Sequence, residues 1–382
     1  MTLSPERRGI PLSSVLLLMS LLITGCTCAT KPVRYRKIDM HVHTSPAATP
    51  RLLRLMEERG IDVAVNLSGG WPGGGLEEAL AAAASTNGKV VVFANPPLHL
   101  LASGLQPEAL AAELEVAHRL GARGLKIFKA LGLNYRNADG SLLAVDDPRL
   151  DALFEKAGEL GMPVSIHTGD PIAFWRAPDE TSERFDELNA HPGWSYFRKE
   201  VPTWEALFAA YERRVARHPR TKIIGVHFGN APEFPERVEA LLVKYPNLSV
   251  DTAARVPELG RKASLVRELF IRHQDRIVFG TDLGVGEAPE DLMLGSTGLT
   301  PPSGADIDRF FSSTWRFFES RDQGFAHPTP IQGRWTISGL GLPPEVLQKI
   351  YSANAERLLA GGLWPRAPAP QEQPALKDAG PD

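Results

Sequence analysis

Short apolar runs recur along the chain, and several end in a polar residue. The first is Ile38-Asp39-Met40-His41-Val42-His43. Val164-Ser165-Ile166-His167, Ile223-Ile224-Gly225-Val226-His227 and Ile277-Val278-Phe279-Gly280-Thr281-Asp282 follow, and Lys126 sits within the similar run Gly124-Leu125-Lys126-Ile127-Phe128. Continuous apolar runs of this length predict strands buried on both faces, as in a parallel sheet. Eight strands are expected: Tyr35–His43, Asp62–Leu67, Val90–Asn95, Gly124–Lys129, Pro163–His167, Lys222–His227, Leu248–Asp251 and Arg276–Asp282. Helical patterns follow most of them. After Asp147-Pro148, the residues Leu150, Leu153, Phe154, Ala157 and Leu160 recur at helical spacing and Gly161 ends the pattern; an acidic cap, a first-turn proline and a terminal glycine are helix punctuation.

Eight strand–helix units predict an α/β fold of the (β/α)8 TIM-barrel type, which takes about 250 residues. An open doubly wound sheet is the competing architecture. Closure is favoured because candidate ligands come from both the first and the last strand. Two long insertions follow strands five and eight, Thr168–Pro202 and Leu283–Ser338. Both belong on the face where strands end. Their aromatics, among them Phe174, Trp175, Trp194, Phe310, Phe311 and Phe318, either wall a pocket or pack the insertions onto the barrel.

Composition narrows the function. Among 382 residues, 43% are hydrophobic and the formal net charge is −3, so no basic face points to nucleic acid. The two cysteines, Cys26 and Cys28, lie near the amino terminus, which leaves no thiolate zinc site or cysteine nucleophile in the main domain. Arg7 and Arg8, the apolar stretch Val15–Ile23 and Ile23-Thr24-Gly25-Cys26 read as an export signal ending in a lipobox. Residues 1–26 are the expected lipoprotein signal, 27–33 a tether, 34–362 the barrel domain and 363–382 a disordered Pro/Ala-rich tail. The mature protein is then anchored to the bacterial cell envelope by a lipid on Cys26; a plain secretory signal and a short membrane anchor are the alternatives. A small-molecule substrate is the expected partner, with a homodimer as a further expectation.

Residues two apart on a strand share a face, so His41 and His43 point the same way and Asp39 joins them one step lower. Two imidazoles so placed, with histidines ending two more strands and a terminal aspartate, can hold a divalent ion. The ordered set His-x-His, His, His, Gly-Thr-Asp resembles the amidohydrolase superfamily, in its branch similar to aminocarboxymuconate-semialdehyde decarboxylase. Asn354-Ala355-Glu356-Arg357-Leu358-Leu359 resembles that branch's closing helix. The resemblance implies a metal-dependent barrel in which His41, His43, His167 and Asp282 hold one zinc-like ion and His227 helps deprotonate water. Lys126 stands where some superfamily members carry a carbamylated lysine bridging two metals, although the decarboxylase-like branch usually works with one.

The residue chemistry agrees with that assignment. Imidazoles and a carboxylate suit zinc or another first-row divalent ion. Asp282 can also accept a proton, and His227 can orient water or shuttle the proton. Lys126 and Lys129 can attract a substrate carboxylate, and Asp170 and Phe174 follow the fifth strand closely enough to shape the pocket. Arg184 and Arg321 are weaker anion candidates, and Asp251 either lines the site or caps a helix. Three functions follow in order: hydrolysis of an amide, ester or lactone, non-oxidative decarboxylation of an unsaturated or aromatic acid, and ligand binding without turnover.

Overall fold

The computed structural model describes residues 34–360. The expected export segment with Cys26, the tether and the tail from residue 363 lie outside these residues. No helix among the described residues is long and apolar enough to cross a membrane.

Eight parallel strands occupy the anticipated places. They are β1 (Ile38–Thr44), β2 (Val63–Asn66), β3 (Val90–Ala94), β4 (Gly124–Ile127), β5 (Val164–Ile166), β6 (Ile223–Gly225), β7 (Leu248–Asp251) and β8 (Ile277–Val278). Each pairs with the next. The seam closes beyond β8. The same run continues through Asp282 into β9 (Leu283–Val285), which pairs in parallel with β1, Val42 opposite Leu283. Met40 N–H donates to the Phe279 carbonyl at 3.0 Å and Asp282 N–H to the His41 carbonyl at 2.9 Å. A closed (β/α)8 barrel brings every strand's carboxyl end to one rim.

Alternation along the strands sorts their side chains. Val63, Val65, Leu67, Val91, Phe93, Ile224 and Val278 cluster with Leu358 and Leu359 of the closing helix Asn354–Leu359, while Ala64, Val90, Val92, Leu125 and Val164 join the larger core shared with the helices. Gly124 has to be glycine: a Cβ there would lie 2.3 Å from the buried Phe93 ring. The helix expected after Asp147 forms as Asp151–Glu159, preceded by the short turn Pro148–Leu150, and the Asp147 carboxylate accepts from Arg149 N–H at 3.0 Å.

The stretch Leu283–Ser338 is only partly an insertion. It begins with the closing strand β9, which forms a hairpin with β10 (Leu292–Leu294). It also contains the eighth barrel helix, Gly304–Glu319. Phe310, Phe311, Phe317 and Phe318 on that helix are buried, and Phe318 packs against Phe270 and Phe279. They fill the barrel's outer layer. The first insertion, between β5 and the helix Trp204–Arg217, has short helical turns and one helix, Phe185–Ala190.

Candidate metal centre

β1 delivers His41 and His43 to the rim with their rings 5.2 Å apart. One step lower, the buried Asp39 carboxylate accepts from Thr281 N–H at 3.0 Å, the Thr281 hydroxyl at 2.5 Å and His41 N–H at 3.1 Å. This lashes the first strand to the turn after the eighth. Asp282 ends that turn at φ 63, a left-handed conformation costly for a residue other than glycine and typical of functional turns. The turn sets Asp282 Oδ1 at 3.2 Å from His41 Nε2 and 3.5 Å from His43 Nε2.

The chain after β6 turns through four left-handed residues in succession, His227, Phe228, Gly229 and Asn230. Asp251, at the end of β7, fixes the result. Its Oδ1 accepts from His227 N–H at 2.7 Å and its Oδ2 lies 2.8 Å from His41 Nδ1. His227 Nδ1 lies 2.9 Å from the Ala253 carbonyl. With both Nδ1 atoms donating, Nε2 is the nitrogen of each ring that is left to accept or to ligate. His41, His227 and Asp282 each offer one donor atom, and all three atoms lie within 4.8 Å of one another.

His43 and His167 flank this group. His43 Nδ1 is 2.7 Å from Ser68 Oγ. The His167 ring stands edge-on to His227 with centroids 4.3 Å apart, and its Nε2 lies 3.2 Å from the Gly169 carbonyl. The tightest triple thus includes His227, with His43 and His167 one ring further out. Lys126 is buried beneath them, Nζ 3.3 Å from His41 Nε2.

The protonation states suit a cation. Burial lowers the pKa of His43, and lowers those of His167 and His227 well below the ordinary histidine value, keeping the rings neutral. Burial alone would raise the Asp282 carboxyl, but the rings of His41, His43 and His227 outweigh it and hold it well below the usual range. Burial brings Lys126 down to about 8, with Asp251 and Asp282 opposing. Neutral imidazole nitrogens around an ionised carboxylate are the donor set of a first-row divalent ion.

Outside the cluster opens a cleft bordered by Lys129, Asp170, Phe174, Trp194, Arg255 and Met293 among others. Lys129 Nζ pairs with Asp170 Oδ2 at 2.6 Å, and the Tyr196 hydroxyl donates to the same oxygen at 2.8 Å. Arg184 is buried and tied to Glu187 at 2.8 Å and to Glu258, joining the first insertion to the segment after β7. Arg321 is exposed and does not border this cleft. Sequence reasoning missed Arg255, because nothing in a loop four residues beyond a strand end distinguishes it. For Asp251 the strand-end position was the available signal.

The second insertion carries its own pH dependence. His327 is buried, its Nε2 lies 2.9 Å from the Gly333 carbonyl, and its Nδ1 has no hydrogen-bond partner. Burial lowers its pKa, and Arg184 and Arg309 add to that. The unfolded chain therefore takes up a proton at a higher pH than the native one. This part of the stability is present above about 6.5 and is lost as pH falls, by about 1.4 kcal/mol per pH unit at most. Thermal melts of wild type and His327→Asn should converge between pH 7 and 5; a constant difference would refute this assignment.

The amidohydrolase family model matches residues 38–361. No curated protein matches the chain. Solved structures similar to it include an uncharacterised TIM-barrel protein from Bordetella bronchiseptica (16% identity, 85% of this chain and 99% of that one, TM-score 0.49). A 5-carboxyvanillate decarboxylase from Novosphingobium aromaticivorans with bound manganese has 12% identity over 85% of this chain and 97% of that one, TM-score 0.44. An amidohydrolase from Burkholderia multivorans with bound zinc has 14% identity over 85% of this chain and 99% of that one, TM-score 0.44. The family match spans the whole barrel, from the strand bearing His41 to the closing helix, and the chain belongs to the amidohydrolase family.

Proposed function

We propose that this amidohydrolase is a metal-dependent hydrolase of small organic substrates, an amide, ester or lactone. The observation that carries this reading is the convergence of His41, His227 and Asp282, the last two of which line a walled cleft. His41 and Asp282 would hold the ion, with His43 and His167 supplying the remaining nitrogens and His227 standing beside it. One ion is proposed, zinc by donor type; two ions are the alternative if Lys126 bridges them.

When bound, such an ion supplies Lewis acidity and brings the pKa of water to about 7. The residues do the rest. Asp282, ionised and beside two imidazoles, accepts the proton that the attacking water gives up. His227, neutral and held through Nδ1, presents Nε2 to orient water or pass that proton to the leaving group. Asp251 holds the His41 ring, and the Ala253 carbonyl the His227 ring, in the tautomer this needs. Phe174 and Trp194 line the cleft and limit water around the reacting group.

Decarboxylation is the second reading, favoured by Lys126, a buried cation beside His41 that can face a leaving carboxylate. The test is turnover by the purified protein on a panel of amides, esters and lactones, and carbon dioxide release from unsaturated and aromatic acids. Hydrolysis that disappears with a chelator and returns with zinc supports the first reading. Carbon dioxide release without hydrolysis replaces it with the second. Bound metal with no turnover on either panel favours a binding-only role, which the expected lipid anchor at Cys26 would serve.

A further inference from the structure

Three cationic side chains border the cleft, and two are already neutralised. Lys129 is paired with Asp170, and Arg184 with Glu187 and Glu258. Arg255 is different. It is 5% exposed and, among the described residues, forms no ion pair and makes one hydrogen bond, from its guanidinium to the Ala254 carbonyl at 2.9 Å. Its Nε has no partner. A buried guanidinium left in this state is costly unless something supplies the missing acceptors.

The backbone aims it there. Ala254, directly before it, is held at φ 55, a strained conformation for alanine. The carbonyl one residue earlier, on Ala253, anchors His227 Nδ1. One tight turn after β7 therefore sets both the histidine at the floor and the arginine at the wall.

We propose that Arg255 is the anion-binding residue of the cleft and that the substrate is a small carboxylic acid with a flat apolar body. Its carboxylate pairs with the Arg255 guanidinium, a geometry suited to bidentate contact. Its body lies against Phe174 and Trp194, and its reacting group faces His41, His227 and Asp282. Burial and the neighbouring Arg184 disfavour the charge on Arg255, and Asp170, Glu187 and Glu233 oppose them; a carboxylate paired with the guanidinium would add to that support. The orientation of the reacting group rests on the hydrolase reading; the binding of a carboxylate does not.

The test uses benzoate and its uncharged analogue benzamide as probes, titrated calorimetrically into the full-length zinc-loaded protein. Benzoate should bind at least about 10-fold tighter than benzamide, and Arg255→Gln should weaken benzoate about 10- to 100-fold, the range of a charge-assisted contact. Arg255→Lys should retain part of the affinity, and benzamide should be indifferent to both changes. Equal affinity for the two probes in the unmutated protein overturns the proposal, whatever the variants do. So does benzoate binding that is unchanged in Arg255→Gln, which would put the probe on the metal instead. Probe binding is read without turnover, so a protein that binds benzoate through Arg255 yet hydrolyses nothing contradicts the hydrolase reading and leaves this one standing.

Discussion

Asp282→Asn is expected to lower kcat/KM by about 10²–10⁴-fold, the range attributed to a positioned proton acceptor. The substitution keeps the side chain's size and one oxygen but removes the charge and the capacity to take a proton. In the native centre that carboxylate lies 3.2 Å from His41 Nε2 and 3.5 Å from His43 Nε2, and the surrounding rings keep it ionised. Nothing else among the described residues brings an ionised carboxylate into the donor triple. Kinetics on whichever substrate the panels yield, with zinc content measured in parallel, separate the two contributions. Loss of activity at full zinc occupancy assigns the proton role, and loss of both assigns the ligand role. Activity within threefold of wild type would remove Asp282 from the chemistry.

Asp251→Ala is expected to destabilise the protein by about 3–5 kcal/mol, the effect of removing one partner from a buried charged network. The carboxylate touches His41 Nδ1, His227 N–H and, at 3.1 Å, Ala253 N–H, and of the two carboxylates that favour the charged form of the buried Lys126 it acts the more strongly. Removing it strands that lysine, frees the His41 ring to rotate and loosens the turn that carries His227. Zinc affinity should fall about 10- to 100-fold, as is usual when a carboxylate orienting a ligand histidine is lost. Urea unfolding reports the first effect and competition with a chelator the second. The double variant Asp251→Ala/Lys126→Met should regain part of the stability, because both charges are then gone. A single variant as stable as wild type would show that the Asp251 network carries no weight.

The barrel was legible because a buried parallel strand leaves a continuous apolar run, and each of the eight runs matches an observed strand. The convergence of His41, His43, His167, His227 and Asp282 was legible for a related reason, since a strand's end is where its run stops. The seam was not. Leu283-Gly284-Val285 follows a residue at φ 63, and a run broken by a left-handed residue does not read as one strand. The eighth helix had a signal that can be seen with hindsight. Ser303 and Asp306 form a reciprocal cap, and Ile307, Phe310, Phe311, Thr314, Phe317 and Phe318 keep helical spacing. Asp251 and Arg255 depend on how β7 and its turn sit against distant strands, which local pattern does not encode. Their roles come from three-dimensional neighbours, His41 from 210 residues away among them.

The central claim is that rings from β1 and β6 and a carboxylate from the β8 run meet around one cation. Anomalous diffraction at the zinc edge from zinc-loaded crystals tests it most directly. The account predicts a single strong peak at the rim, about 2.0–2.3 Å from His41 Nε2 and an Asp282 oxygen. A peak only elsewhere on the molecule, or none at the rim in protein that measurably binds zinc, would contradict it.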